Sequence, residues 1–269
     1  MDGMLISIIV FFIVYCAITF ELVNKAVAAF SGVAVLILLN VIDEHHAIKF
    51  IDFETIMLLF GMMIIVSVLK HSGLFTIISV RISELTRGNP VKILILFSIV
   101  PAVMSAFLDN VTTVLIIIPI IIELTRGLGL DPKKYVLSQA IISNIGGTAT
   151  LIGDPPNVII GSKVGLTFNQ FLINLGPPVL VIFIVVLIFI WGTNRDQFKP
   201  INTNIIKLFT VNLLLEKIRY DFLNMKIDYA LMKKGILFLV IAIILFITQT
   251  MTGLAPGVVA ISVGIFLVL

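Results

Sequence analysis

The sequence predicts an all-α integral membrane protein. Of its 269 residues, 59% are hydrophobic and only 12% are charged, whereas soluble domains carry about 25% charged residues. The apolar residues form runs close to the ~20 residues that a helix needs to cross a membrane. Two polar segments, 105–113 and 143–157, interrupt these runs. Because polar side chains at membrane depth usually line a site inside the protein, we expect the function to lie there.

The rest of the composition excludes several classes of function. The net charge of +3 does not indicate a nucleic-acid partner, because the basic residues lie between apolar runs rather than on one face. Cys16 is the single cysteine, which leaves no disulfide framework and no CxxC metal site. His45 and His46 are expected to be solvated in an acidic loop. We expect the lipid bilayer as the main partner, no nucleic acid and no cofactor.

Five spans are predicted before residue 192. No basic segment precedes the first apolar run, so it is expected to be a retained helix rather than a signal peptide. Residues 74–86 and 167–175 are predicted to be interfacial helices, and a polar loop is expected after Asp43. The spans are expected at 5–20, 26–42, 53–69, 135–161 and 177–191.

Residues 91–122 are predicted to form a re-entrant hairpin with Asp109 and Asn110 at its tip. A single helix of this length would be roughly 48 Å long, and an arm over 111–122 would reach only about 18 Å. With a hairpin, and residues 193–234 in the cytoplasm, all 18 Lys and Arg residues except Lys49 and Lys163 lie on the cytoplasmic side. The positive-inside rule favours that arrangement, with the N-terminus outside.

The span at 135–161 is predicted to be a broken helix. Gly146 and Gly147, followed by the sequence Gly153-Asp-Pro-Pro, interrupt it, and proline cannot continue a helix. Two helix breaks near the membrane centre leave backbone N–H and C=O groups free to bind ions. Asp109 and Asp154 could then bind a cation or carry a proton. The alternative is that these carboxylates only cap broken helix ends.

The end of the chain resembles its beginning. Residues 193–234 are predicted to be a cytoplasmic linker with an amphipathic core, followed by spans at 235–250 and 256–269. Residues 25–31 align with 256–262, and an odd number of spans per unit inserts a second unit upside down. We expect a complete first repeat at 1–192 and, at 235–269, the start of a truncated second repeat in a fragment of a longer protein.

The two polar segments closely resemble motifs of the ArsB/NhaD permease group of the ion transporter superfamily. The resemblance rests on Ser105-Ala-Phe-Leu-Asp-Asn-Val-Thr-Thr113 and on Asn144-Ile-Gly-Gly-Thr-Ala-Thr150, continued by Gly153-Asp-Pro-Pro-Asn157. The pink-eyed-dilution protein branch, with its citrate-transporter-like domain, is the most similar. An intramembrane aspartyl protease is a poor match, because Leu108 and Leu151 stand where that family needs Tyr and Gly.

This resemblance implies inverted repeats, a scaffold that dimerises and a transport domain that moves like an elevator. It implies a cation site, possible for Na⁺, at Ser105, Asp109, Asn110 and Gly147. Asp109 stands where the sodium–dicarboxylate symporters have Ser, which favours cation or proton exchange. The candidate ion- and substrate-binding residues are Ser105, Asp109, Asn110, Thr112, Thr113, Asn144, Gly146, Gly147, Thr148, Asp154 and Asn157.

The sequence therefore predicts a secondary transporter in the plasma membrane that carries ions by Na⁺- or H⁺-coupled exchange or efflux, and not an enzyme. The alternatives are a passive anion channel, a sodium-coupled carboxylate symporter or an inactive fragment. The substrate, a small inorganic ion or an organic anion, does not follow from the fold.

Overall fold

The computed structural model describes residues 3–108, 110–195, 205–223 and 227–269. Every regular element of these residues is a helix. The chain divides into two compact units, Met1–Asp52 and Phe53–Leu269. The prediction of an all-α membrane fold is confirmed.

The first unit contains α1 (Gly3–Thr19), α2 (Lys25–Leu38) and the short α3 (Glu44–Lys49). α1 buries none of its side chains, as expected of a helix that faces lipid. α2 packs on α1 at Gly32, where an added Cβ would lie 2.6 Å from the side chain of Val14. α3 occupies the segment predicted to be a polar loop, and that prediction is wrong: Glu44 opens the helix and His46 and Lys49 close it, which complements the helix dipole.

The second unit has two hydrophobic cores, and the first of them lies around α4 (Phe53–His71). Side chains of α4 pack with the segment around Leu151 and with three later helices, α9 (Pro155–Val164), α12 (Tyr229–Ile247) and α14 (Pro256–Val268). Ile65 and Leu69 of α4 are completely buried. This core holds the long apolar helix α4 against the segment that carries the second polar motif.

The other core lies between α5 (Leu74–Thr86), α6 (Pro90–Ser105), α7 (Asn110–Gly127) and α8 (Pro132–Gly147). Asn89 caps α6 and Asp131 caps α8, and each is followed by a proline in the first turn, the position where proline fits a helix. The Tyr135 hydroxyl donates to Pro90 O at the start of α6, and Gly146 contacts Ala102 near its end. α6 and α8 therefore run in the same direction.

The chain then continues through α9 (Pro155–Val164) and α10 (Phe168–Thr193). α10 is one helix of 26 residues, so the prediction of a short interfacial segment separate from a span at 177–191 is wrong. Thr167 and Gln170 form a capping box that starts the helix at Phe168. The helix continues through Pro177 and Pro178, as membrane helices can.

The remaining helices are α11 (Ile205–Leu223), α12 (Tyr229–Ile247), α13 (Gln249–Thr252) and α14 (Pro256–Val268). α11 lies within the predicted linker, of which residues 196–204 and 224–226 are outside the described residues. Ile218 of α11 is completely buried in the core of α5 to α8. Lys217 forms an ion pair with Glu123 of α7 at 3.2 Å.

Four of the described helices are long and apolar enough to cross a membrane: α4, α7, α10 and α12. α7 extends five residues beyond the predicted arm, to Gly127, and has 18 residues. The argument that this arm is too short for a membrane span is therefore wrong, because the helix continues past residue 122 through Glu123 and Arg126 and is long enough to cross a membrane.

Candidate ion-binding site

Four helix ends meet around the two polar motifs. α6 ends at Ser105 and α8 ends at Gly147, while α7 begins at Asn110 and α9 begins at Pro155. The last turns of α6 and α8 bring backbone carbonyl groups to this point, and the first turns of α7 and α9 bring N–H groups. The meeting point therefore offers ligands for a cation and for an anion.

Asn110 links three of these helix ends. Its side-chain amide nitrogen donates to Asn144 Oδ1 at 2.7 Å and to Asp154 Oδ1 at 2.8 Å. Its backbone oxygen accepts a hydrogen bond of 3.1 Å from the Ser143 hydroxyl. Asp154 lies 44 positions away in the sequence, so the hydrogen bond between them joins the two motifs into one site.

Asp154 stands at the N-cap position of α9, yet its side chain makes no capping hydrogen bond. Its carboxylate instead accepts from Asn110 across the helix break. The sequence left two roles open for this carboxylate, a helix cap or a ligand in the site. The hydrogen bond to Asn110 and the missing capping bond favour a ligand role.

Ser105 and Asp154 present oxygen atoms to one side of Gly147. A Cβ on Gly147 would lie 2.9 Å from Asp154 Oδ2 and 3.1 Å from Ser105 Oγ. Ser105 is fully buried, and its hydroxyl has no hydrogen-bond partner within the described part of the chain. Buried polar groups in proteins are almost always paired with protein, water or an ion, so this hydroxyl is available as a ligand.

Side chains in and next to the helix break, which is the segment between α8 and α9, hold this segment in place. The side-chain nitrogen of Asn157 donates to Gly147 O at 3.1 Å and to Thr150 O at 2.9 Å. The Thr150 hydroxyl donates to Ala106 O at the end of α6. The Asn157 side chain therefore satisfies two carbonyl groups at the helix break. The Thr150 side chain connects the break to the end of α6.

Two glycines allow the backbones to approach. A Cβ on Gly146 would lie 2.2 Å from Ala102 O, and one on Gly153 would lie 2.3 Å from Gly147 O. Contacts this short leave no room for any side chain, so Gly146 serves the packing of α8 on α6.

The structure brings together Ser105, Asn110, Asn144, Gly147 and Asp154. The other candidates surround them. Thr113 is buried in the first turn of α7, and the Thr148 hydroxyl donates to Asn144 O at 2.9 Å. Asp109 lies outside the described residues. Sequence reasoning did not select Ser143 or Thr150 as site residues, although both lie within the second motif.

A cavity of about 460 Å³ opens beside the site. One wall is formed by Phe107 and Thr112, near the junction of α6 and α7, and by Gly153 and Pro155, at the start of α9. The opposite wall is α4, which contributes Ser67, Lys70 and His71 among others. The cavity therefore places a cationic side chain near the beginnings of α7 and α9, where the helix dipole also favours an anion.

The family model described as CitMHS, citrate transporter, matches residues 15–269 of this sequence. The chain belongs to the citrate transporter family. It is 42% identical over 184 residues to the "46 kDa membrane protein" of Mycobacterium leprae, covering 67% of this chain and 43% of that protein. It is 40% identical over 186 residues to "Uncharacterized transporter Mb2703" of Mycobacterium bovis, covering 68% of the chain and 43% of the relative.

The human "P protein" is 41% identical over 209 residues, which are 72% of this chain and 25% of that protein. The chain thus spans less than half the length of the curated relatives it matches. Membership in the citrate transporter family confirms the resemblance to the ArsB/NhaD group, and together with the four long apolar helices it supports the prediction of a multi-pass membrane protein of a transporter family rather than an enzyme family.

Proposed function

We propose that this citrate transporter family member is a secondary transporter that couples the movement of a small anion to Na⁺ or H⁺. The coupling cation binds between Ser105, Asp154 and the end of α8 at Gly147. The anion enters the cavity beside Lys70. The observation that carries the proposal is the hydrogen bond from Asn110 to Asp154, which joins the hairpin and the broken helix into one site.

The ligand chemistry suits a small hard cation. Asp154 supplies a carboxylate oxygen, and Ser105 supplies a buried hydroxyl that has no partner among the described residues. Oxygen ligands and the carbonyl ends of broken helices are the usual donors for Na⁺ in transporters. If the coupling ion is a proton, Asp154 is the described group at the centre of the site that can carry it. Asp109 is proposed as a second carboxylate of this site on the strength of the sequence alone.

The proposal also includes the topology, the oligomeric state and the transport mechanism that the family resemblance implies. The α6–α7 pair acts as a re-entrant hairpin that enters the membrane from the cytoplasm and has its tip inside the membrane, with the N-terminus outside and residues 193–234 inside the cell. The protein works as a dimer in the plasma membrane, and its transport domain moves like an elevator. Residues 1–192 form the first of two inverted repeats, and 235–269 begin the second.

Flux measurements test the proposal. The full chain is reconstituted in proteoliposomes, and citrate or another labelled anion is offered with an inward or an outward gradient of Na⁺ or of H⁺. We expect uptake against the anion's own gradient under one of these conditions. Asp154→Asn should abolish the coupling, because the neutral amide removes the charge that balances the cation. Unchanged coupled uptake in Asp154→Asn would refute the assignment of the site.

A passive anion channel is the second candidate, favoured by the cationic Lys70 and the two helix beginnings beside the cavity. It predicts currents that reverse at the Nernst potential of one ion, with no dependence on a second gradient. The same proteoliposomes distinguish the two functions. If an inward Na⁺ gradient drives uptake of a carboxylate, the protein is a sodium-coupled carboxylate symporter, which is one form of the first proposal. If neither coupled uptake nor a current is observed, both candidate functions are rejected and the chain is an inactive fragment.

A further inference from the structure

A second cavity lies on the other side of the helix break. It has a volume of about 420 Å³ and is lined by Glu54, Ser162, Thr167 and Gln249, among others. No Lys, Arg or His is among the residues that line it in the described part of the chain. It shares no lining residue with the cavity beside Lys70. We call it the Glu54 cavity and the other one the Lys70 cavity.

The two cavities follow one another along two helices. On α4, the residues that line the first cavity lie between Glu54 and Leu58, and those that line the second lie between Leu59 and His71. Glu54 and Lys70 are sixteen positions apart in one helix, or about 24 Å at 1.5 Å per residue. α4 is long and apolar enough to cross a membrane, so the cavities lie toward opposite ends of a membrane-spanning helix. α9 follows the same course, from Pro155 at the Lys70 cavity to Gly161 and Ser162 at the Glu54 cavity.

Only a thin apolar layer separates the cavities. Leu58 and Leu151 line the Glu54 cavity, while the next residues along the chain, Leu59 and Ile152, line the Lys70 cavity. Leu58, Leu151 and Ile152 have exposed fractions of 2%, 3% and 7% and belong to one packed cluster. Leu151 is held against α9, where a Cβ on Gly161 would lie 2.1 Å from its Cδ1 atom.

We propose that Leu58 and Leu151 form an apolar seal between two water-accessible compartments on opposite sides of the membrane. The Glu54 cavity is then a second vestibule, whose acidic side chain and hydroxyl groups suit a cation. This inference rests on the proposed transport function, because a seal matters only where solute would otherwise leak. A constriction lined by leucines excludes water and hydrated ions without any charged barrier.

Thiol labelling tests the two compartments without any transport assay. Cys16 is the single cysteine of the sequence, so a Cys16→Ser background lacks thiols. Ser67→Cys and Ser162→Cys place one thiol in each cavity. In right-side-out and inside-out membrane vesicles, a membrane-impermeant thiol reagent should label the two variants from opposite sides. Labelling of both from the same side, or of neither, would overturn the proposal.

Passive flux tests the seal itself. We expect Leu151→Ala to raise the leak of labelled Na⁺ through proteoliposomes about tenfold, because the constriction widens and hydrates. Leu58→Ala truncates the facing wall and should act in the same direction if Leu151→Ala fails to fold. Leu267→Ala is the matched control, since Leu267 is equally buried but lines neither cavity. An unchanged leak in both leucine variants, or an equal leak in Leu267→Ala, would overturn the seal.

These outcomes separate the inference from the proposed function. If the wild-type chain shows coupled uptake and the two leucine variants show no added leak, the seal is rejected and the proposed transport function is kept. Absence of coupled uptake, with labelling from opposite sides, would reject the transport mechanism and leave the two compartments in place.

Discussion

Gly147→Ala should disable the proposed cation site while leaving the fold nearly intact. The new methyl group would lie 2.9 Å from Asp154 Oδ2 and 3.1 Å from Ser105 Oγ. Both atoms end flexible side chains, so they can move by a few tenths of an ångström. Alanine in place of a helical glycine gains about 0.5–1 kcal/mol, which offsets much of the crowding. We expect a change in the free energy of unfolding of no more than about 1 kcal/mol.

The same shift should weaken cation binding strongly, because the methyl group fills the space toward which both oxygens point. Loss of about 1.4 kcal/mol of binding free energy is a tenfold loss of affinity, and we expect at least that. The assay is the rise in melting temperature with added Na⁺ or with pH, since a ligand that binds the native state stabilises it. The Na⁺ dependence of coupled uptake gives a second measurement.

Two other glycines provide matched controls. Gly146→Ala brings a Cβ to 2.2 Å from the backbone oxygen of Ala102, and this overpacking should cost about 1–3 kcal/mol or more of stability. Gly192→Ala in α10 meets nothing within 4 Å and should leave both stability and cation dependence unchanged. If Gly147→Ala keeps the wild-type cation dependence, the space between Ser105 and Asp154 is not the cation site.

Three further substitutions test other parts of the site and fold. Asn157→Leu removes hydrogen bonds to Gly147 O and Thr150 O and should lower the free energy of unfolding by about 2–3 kcal/mol in denaturant titrations; an unchanged midpoint would contradict its bracing role. Lys217→Ala breaks a largely exposed ion pair with Glu123 and should cost less than about 1 kcal/mol, an effect that high salt removes. Lys70→Ala should raise the KM for the anion severalfold, whereas Lys70→Arg should preserve it; equal KM values would place the anion elsewhere.

The sequence predicts the helices well because their signals are local. The apolar runs at 53–69 and 235–250 appear as α4 and α12, and prolines after Asn89 and Asp131 mark the beginnings of α6 and α8. The continuity of α10 was missed, because Pro177 and Pro178 suggested a boundary. The capping box at Thr167 and Gln170 was the local signal that could have corrected it.

The site was predictable as a list of residues but not as a set of contacts. Polar residues in an apolar sequence selected Asn110 and Asp154, yet their hydrogen bond joins positions 44 apart. Such a pairing depends on how α7 and α9 are brought together, which composition and periodicity do not encode. The packing role of Gly146 and the bracing role of Asn157 depend in the same way on the path of the neighbouring chain. The repeat and domain boundaries stay predictions.

The contact between α4 and α14 determines which parts of the second unit can move past one another. An added Cβ on Gly61 would lie 2.3 Å from the carbonyl carbon of Ala260, and one on Gly257 would lie 2.5 Å from Glu54 O. With the two backbones touching, no side chains can change rotamer to let one helix slide along the other. α4 and α14 should therefore move as one rigid post. Any relative motion during transport must then occur between this pair of helices and the elements that pack around it.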